Sequence, residues 1–160
     1  MKKILLGLTL GLVLALSPLA AIAGAMSPSE QARSWQGQGD YPGIDAYQDI
    51  TLLPGQLLVR GEPNGTEYFS DFHAFILAAE DAENFFEGLQ VKKHPQYGYR
   101  SAVQLFMVQK ENILAAYSLT EANPQFGKGG SSQYFIPDAQ SLIEAGVLVP
   151  IRKFALHNYK

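Results

Sequence analysis

Asn123-Pro124-Gln125-Phe126-Gly127-Lys128-Gly129-Gly130-Ser131-Ser132-Gln133-Tyr134-Phe135-Ile136-Pro137 is a glycine-rich loop that runs into a short apolar strand. Three glycines in four positions, Gly127, Gly129 and Gly130, let the backbone take positive φ and come close to a ligand. Loops with such freedom, held between packed flanks, are where function concentrates. Pro124 and Phe126 can anchor one flank; Tyr134, Phe135 and Ile136 can anchor the other. Gln133 carries both a donor and an acceptor and sits where loop becomes strand. Glycine clusters also make plain turns, so the partners of this loop decide its meaning.

Working back from the loop, Ile113 to Leu119 reads as a strand, and Val103 to Val108 as another, buried on at least one face. Lys92-Lys93-His94-Pro95 and Tyr97-Gly98-Tyr99 form a connection. Before it, Phe72, Phe75, Ile76, Ala79, Ala82 and Phe86 repeat at helical spacing. They predict one amphipathic helix from about 71 to 87, capped by Ser70 or Asp71 and stopped at Gly88. Gln56 to Arg60 and Thr66 to Phe69 read as strands joined through Asn64-Gly65, a hairpin signal. Beyond the loop, Asp138 is placed to cap a short helix ending at Gly146, and Val147 to Arg152 is a last strand. The expectation is an α+β fold: a small, mostly antiparallel twisted β core with one long and one short helix.

The chain has 160 residues, a length for one domain. Met1-Lys2-Lys3, the uncharged run Ile4 to Leu16 and Ala21-Ile22-Ala23 fit a secretory signal peptide over 1–23. The run is short for a membrane span, so no stable membrane association is expected after cleavage, and the location is periplasmic or secreted. Removing that segment takes Lys2 and Lys3 away and moves the formal charge from −3 to −5. A mildly acidic chain without a basic stripe argues against nucleic acid. With no Cys in the sequence, the core must hold an exported protein without disulfides. Residues 24–48, rich in Ser, Gln, Gly and Pro, read as an N-terminal arm ordered by Trp35 and Tyr41, leaving 49–160 as the domain.

Several chemistries have no support. His73, His94 and His157 are scattered without a second ligand at helical spacing, so no metal site is expected. There is no Gly-x-Ser-x-Gly elbow, and Lys128 lacks the order of a phosphate-binding P-loop. Glu80 and Asp81 lie on the solvated side of the predicted helix. Arg60 is different: it ends a strand before a glycine turn, with a planar fork of donors suited to phosphate or carboxylate. Phe69-Ser70 then arrives at a helix start. Arg60, Ser70 and the glycine loop can converge on one pocket for a diphosphate and an aromatic ring.

The order of these pieces resembles the TNT-type NAD glycohydrolases, named after a tuberculosis necrotizing toxin. The resemblance rests on Leu53-Pro54-Gly55, Arg60-Gly61, Asn64-Gly65 and Tyr68-Phe69-Ser70, then Gln125 to Tyr134, Leu142 and Gly146-Val147-Leu148. It implies an architecture related to ADP-ribosyltransferase toxins. It also implies an exported enzyme that cleaves the nicotinamide–ribose bond of NAD or NADP, giving ADP-ribose and nicotinamide. NAD is then the substrate and no separate cofactor is needed. An immunity protein would be the partner of a member acting as a toxin. Carried over by position, Arg60 and Gln133 are the catalytic residues. Arg60 would contact the diphosphate and Gln133 the nicotinamide ribose. Phe69, Ser70, Phe126, Tyr134, Gly129 and Gly130 would bind substrate, with Phe126 and Tyr134 walling the nicotinamide. Three features depart from the family pattern: Gln125 stands for its usual Trp, the loop is one residue shorter, and the middle strand lacks a His found in some members. Gln133, where those transferases carry a catalytic Glu, favours hydrolysis over transfer. Two alternatives remain beside the enzyme: a catalytically weak nucleotide-binding relative, and a non-enzymatic exported α+β domain.

Overall fold

The computed structural model describes residues 25–109 and 112–160; the expected signal peptide lies outside the described residues. The elements run α1 (Pro28–Ser34), β1 (Gln48–Leu52), β2 (Leu57–Glu62), β3 (Tyr68–Asp71), α2 (Phe72–Leu77), α3 (Ala82–Gly88), β4 (Ala102–Val108), β5 (Ile113–Leu119), β6 (Ser132–Phe135), α4 (Ala139–Glu144) and β7 (Leu148–Ala155). The strands form one seven-stranded sheet in the order β1-β5-β6-β3-β2-β4-β7, every pair antiparallel. The fold is α+β, as the pattern of elements predicts.

Strand alternation sorts the core onto two faces. Leu58, Phe69, Phe106, Val108, Ile136 and Leu148 pack on one face beneath Ala139 of α4. Val59, Val103 and Leu105 turn to the other face, against Phe75 of α2 and Phe85 and Phe86 of α3. At the far end of that second face, Phe135 and Tyr47 pack with Ala32 of α1.

The sheet has a weak seam. β2 and β4 pair at six positions, yet β2 and β3 pair only at Leu58↔Asp71 and Val59↔Ser70. Beyond Ser70 and Val59 the two strands part, which opens the sheet between its halves.

Three expectations need correction. The single helix predicted over 71–87 is two short ones. Ala79 and Glu80 both take left-handed φ, 54° and 61°, and Asp81 starts again as the N-cap of α3, accepting from the Asn84 N–H at 2.8 Å. The C-terminal tail occupies the break: the Ala82 N–H donates to the His157 carbonyl and the His157 N–H to the Glu80 carbonyl. Apolar periodicity hid this, because Phe75 and Phe85 still reach the same core. Asp138, expected to cap α4, takes φ 52° and makes no side-chain cap bond. The segment 24–48, expected as an arm, carries α1. Ser27 and Glu30 close a capping box, with Pro28 in the first turn.

Candidate functional site

Beside the parted strands lies a cleft of about 780 Å³. Trp35, Tyr41 and Asp45 wall one side of it, Tyr97, Tyr99 and Arg100 another, and Gln133 lies in its depth. A narrower recess of about 40 Å³ adjoins it, bordered by Arg60, Phe69, Ser70 and Gln133. Thr66, Arg100 and Gln133 line both spaces, so the two lie side by side.

Register explains which side chains meet here. Val59 faces Ser70 across β2 and β3, and Ser118 faces Gln133 across β5 and β6, all toward α1–α3. Ser70 is fully buried, and its hydroxyl donates to the Ser132 carbonyl at 2.8 Å. Gln133 is buried, and its Oε1 accepts from the Tyr47 hydroxyl. Burial pushes the Tyr47 phenol well above its ordinary value, and it pushes neighbouring Tyr68 up to about 12. Both stay protonated donors at neutral pH.

Arg60 stands one residue from Val59, so it turns the other way. Its guanidinium lies 5.4 and 5.1 Å from the centroids of Phe69 and Phe106 and pairs with Glu62 at 3.1 Å. It borders the recess from beyond the sheet plane, already engaged by a carboxylate and two rings. Arg60, Ser70 and Gln133 therefore border one recess, with the Arg60 fork already paired to Glu62.

The glycine loop also departs from expectation. Its positive φ values are real, 146° at Gly127, 67° at Gly129 and 80° at Gly130. The close approach they permit is to the protein itself. A Cβ at Gly127 would lie 2.4 Å from the Glu87 carbonyl oxygen, and one at Gly129 2.2 Å from that of Thr120. The Gly129 N–H donates to Glu87, the Gly130 N–H to Thr120 and the Ser131 N–H to Gly88. Gly129 and Gly130 therefore do not border the cleft. Nor do Phe126, packed on Tyr41 at 5.0 Å, or Tyr134, which pairs with Tyr117 at 5.2 Å on the α4 face. What the loop does is fix the start of β6, and with it Gln133.

Two groups escaped the sequence reading. Arg100 precedes β4 and reaches the cleft past Gly61, where a Cβ would come within 2.7 Å of Arg100 Cδ. Its Nε and Nη2 donate to the Pro63 and Asn64 carbonyls, each at 3.2 Å. Among the described residues no carboxylate lies within 4.0 Å of it. Burial pulls its pKa below the usual arginine value, and Arg keeps its charge regardless. Arg100 thus lines the cleft without a carboxylate partner, its Nε hydrogen and one Nη2 hydrogen already given to backbone carbonyls. The second group is Tyr47 with Asp45 and Gln36, whose contacts to residues 121–133 span too much sequence to be read from local pattern. Among the described residues no three His, Asp or Glu side chains gather as a metal set.

The chain matches the model of the Rhs1 C-terminal toxin domain over residues 24–138. A solved structure described as Rhs1-CT in complex with cognate immunity protein RhsI1 resembles it at TM-score 0.73 and 28% identity, over 83% of this chain and 98% of that one. No curated protein matches.

Proposed function

The chain belongs to the Rhs1 C-terminal toxin domain family, and from the resemblance of its motifs to the TNT-type enzymes we propose that it is an exported NAD(P)+ glycohydrolase toxin. It breaks the bond between ribose C1′ and the nicotinamide nitrogen. The observation that carries this reading is the meeting of Ser70 and Gln133 in a narrow recess beside a cleft lined by an arginine with no carboxylate partner among the described residues.

Size and lining support it. A cleft of about 780 Å³ suits a dinucleotide. Arg100 keeps its two Nη1 hydrogens and one Nη2 hydrogen for a diphosphate. Trp35 and Tyr41 give flat faces for an adenine ring. No carboxylate borders the inner recess among the described residues. That is compatible with this leaving group: the bonding pair returns to the pyridinium nitrogen, and nicotinamide departs neutral without an acid. The ribose becomes oxocarbenium-like, water adds at C1′, and its proton passes to solvent. The protein orients the two ends and excludes stray water, while Gln133 holds the ribose.

The match to a toxin recorded with a cognate immunity protein supports an immunity protein as partner of this chain. The reading of 1–23 as a signal peptide supports delivery outside the cytoplasm.

The test is Gln133→Ala beside wild type. We expect nicotinamide release to fall by about a hundredfold or more, in the range for loss of a transition-state hydrogen bond, while ADP-ribose binding stays within a few-fold. Unchanged turnover would remove Gln133 from the mechanism. Absence of release in wild type, with a thermal shift by ADP-ribose, would leave a nucleotide-binding protein without the reaction.

A further inference from the structure

A side-chain amide has an accepting end and a donating end, and nothing within Gln133 says which one meets a ligand. Its neighbours fix the choice. The sequence of hydrogen bonds begins at buried Asp45, whose carboxylate can only accept. Oδ1 accepts from the backbone N–H groups of Glu121 and Ala122 at 2.8 and 2.9 Å. Oδ2 accepts from Gln36 Nε2 at 3.0 Å. Gln36 cannot turn over, because its Oε1 accepts from the Asp45 N–H at 2.8 Å. Gln36 Nε2 also donates to the Tyr47 hydroxyl oxygen at 3.2 Å. Tyr47 in turn gives its single proton to Gln133 Oε1. That bond fixes which end of the amide faces Tyr47, and the Gln133 Nε2 hydrogens have no acceptor among the described residues.

The geometry points to a relay of fixed polarity: Asp45, Gln36 and Tyr47 hold Gln133 as a hydrogen-bond donor toward the cleft, and Tyr47 is its positioning residue. The ligand group it meets is then an acceptor, a ribose oxygen of the dinucleotide. The consequence for turnover rests on the NAD glycohydrolase reading; the polarity itself does not. Tyr47 is buried between Ala32, Ala116 and Phe135, so its hydroxyl does not reorient into water. The relay also gives the segment before β1 a role at the site.

Tyr47→Phe keeps the ring in that cluster and removes only the donor. Gln36→Ala, at a half-buried position, breaks the relay one step earlier and serves if the first variant does not fold. We expect kcat for nicotinamide release to fall about tenfold or more with KM within about twofold. Adding Tyr47→Phe to Gln133→Ala should slow turnover no further. A loss confined to KM, or an equal loss in both backgrounds, would overturn the positioning role. The polarity is read separately by NMR on 15N-labelled protein. The Gln133 side-chain NH2 pair is identified by its absence from Gln133→Ala. It should move when ADP-ribose is added to wild type, and change position in Tyr47→Phe without ligand. If that pair is unmoved by Tyr47→Phe, the relay is wrong. If it moves as expected while wild type releases no nicotinamide, the relay stands and the NAD reading alone fails.

Discussion

Gln133 stands between two regions that hold it by different means. On one side, residues 127–131 are stitched to the end of α3 and to Thr120 by backbone hydrogen bonds, with Gly127 and Gly129 where a methyl group would strike a carbonyl. On the other, residues 36–47 reach it through side chains alone, from a buried carboxylate through an amide and a phenol. Backbone stitching sets where the residue is. The side-chain relay sets which way its amide faces. The first should fail through stability and the second through turnover, so substitutions on the two sides give different signatures.

The largest expected stability effect lies on the stitched side. Gly129→Ala puts a Cβ 2.2 Å from the Thr120 carbonyl at a left-handed φ. It should cost about 2–3 kcal/mol in chemical denaturation, while the folded fraction keeps its turnover. A stable protein with altered kinetics would show that the loop meets substrate after all. Next comes Arg100→Met at the cleft. Loss of the guanidinium should raise KM for NAD about tenfold and leave kcat within a few-fold. An unchanged KM would return the diphosphate to Arg60 or to backbone donors. The smallest effect is Gly130→Ala. Its φ is 80°, but nothing lies within 4 Å of an added Cβ. The cost should be about 1 kcal/mol, the left-handed penalty alone. A cost equal to that at Gly129 would mean that close approach is not what selects glycine in this loop.

Much of the sheet could be read in advance. Val103 to Val108 announces a buried strand by alternation, and Asn64-Gly65 announces the turn before β3. The register that follows places Ser70 and Gln133 together, and their neighbourhood was visible in the order of motifs. Arg60 shows the limit. Alternation fixes it opposite Val59, but only the packed structure says which face carries the cleft. The split helix was hidden because an unbroken apolar period is compatible with a break at Ala79-Glu80. α1 left a signal in Ser27-Pro28-Ser29-Glu30, a capping box inside a stretch whose composition suggested an arm. Tyr47 and Arg100 left none that local pattern could use. The partner of Tyr47 lies 86 residues away, and Arg100 becomes a site residue only because Gly61 lets it pass.

The central claim is the reaction itself. The purified protein incubated with NAD should release nicotinamide and ADP-ribose in equal amounts over many turnovers, and NAD should disappear at the same rate. If NAD stays intact at stoichiometric protein and ADP-ribose leaves thermal unfolding unmoved, the cleft is not a dinucleotide site and the enzyme reading falls.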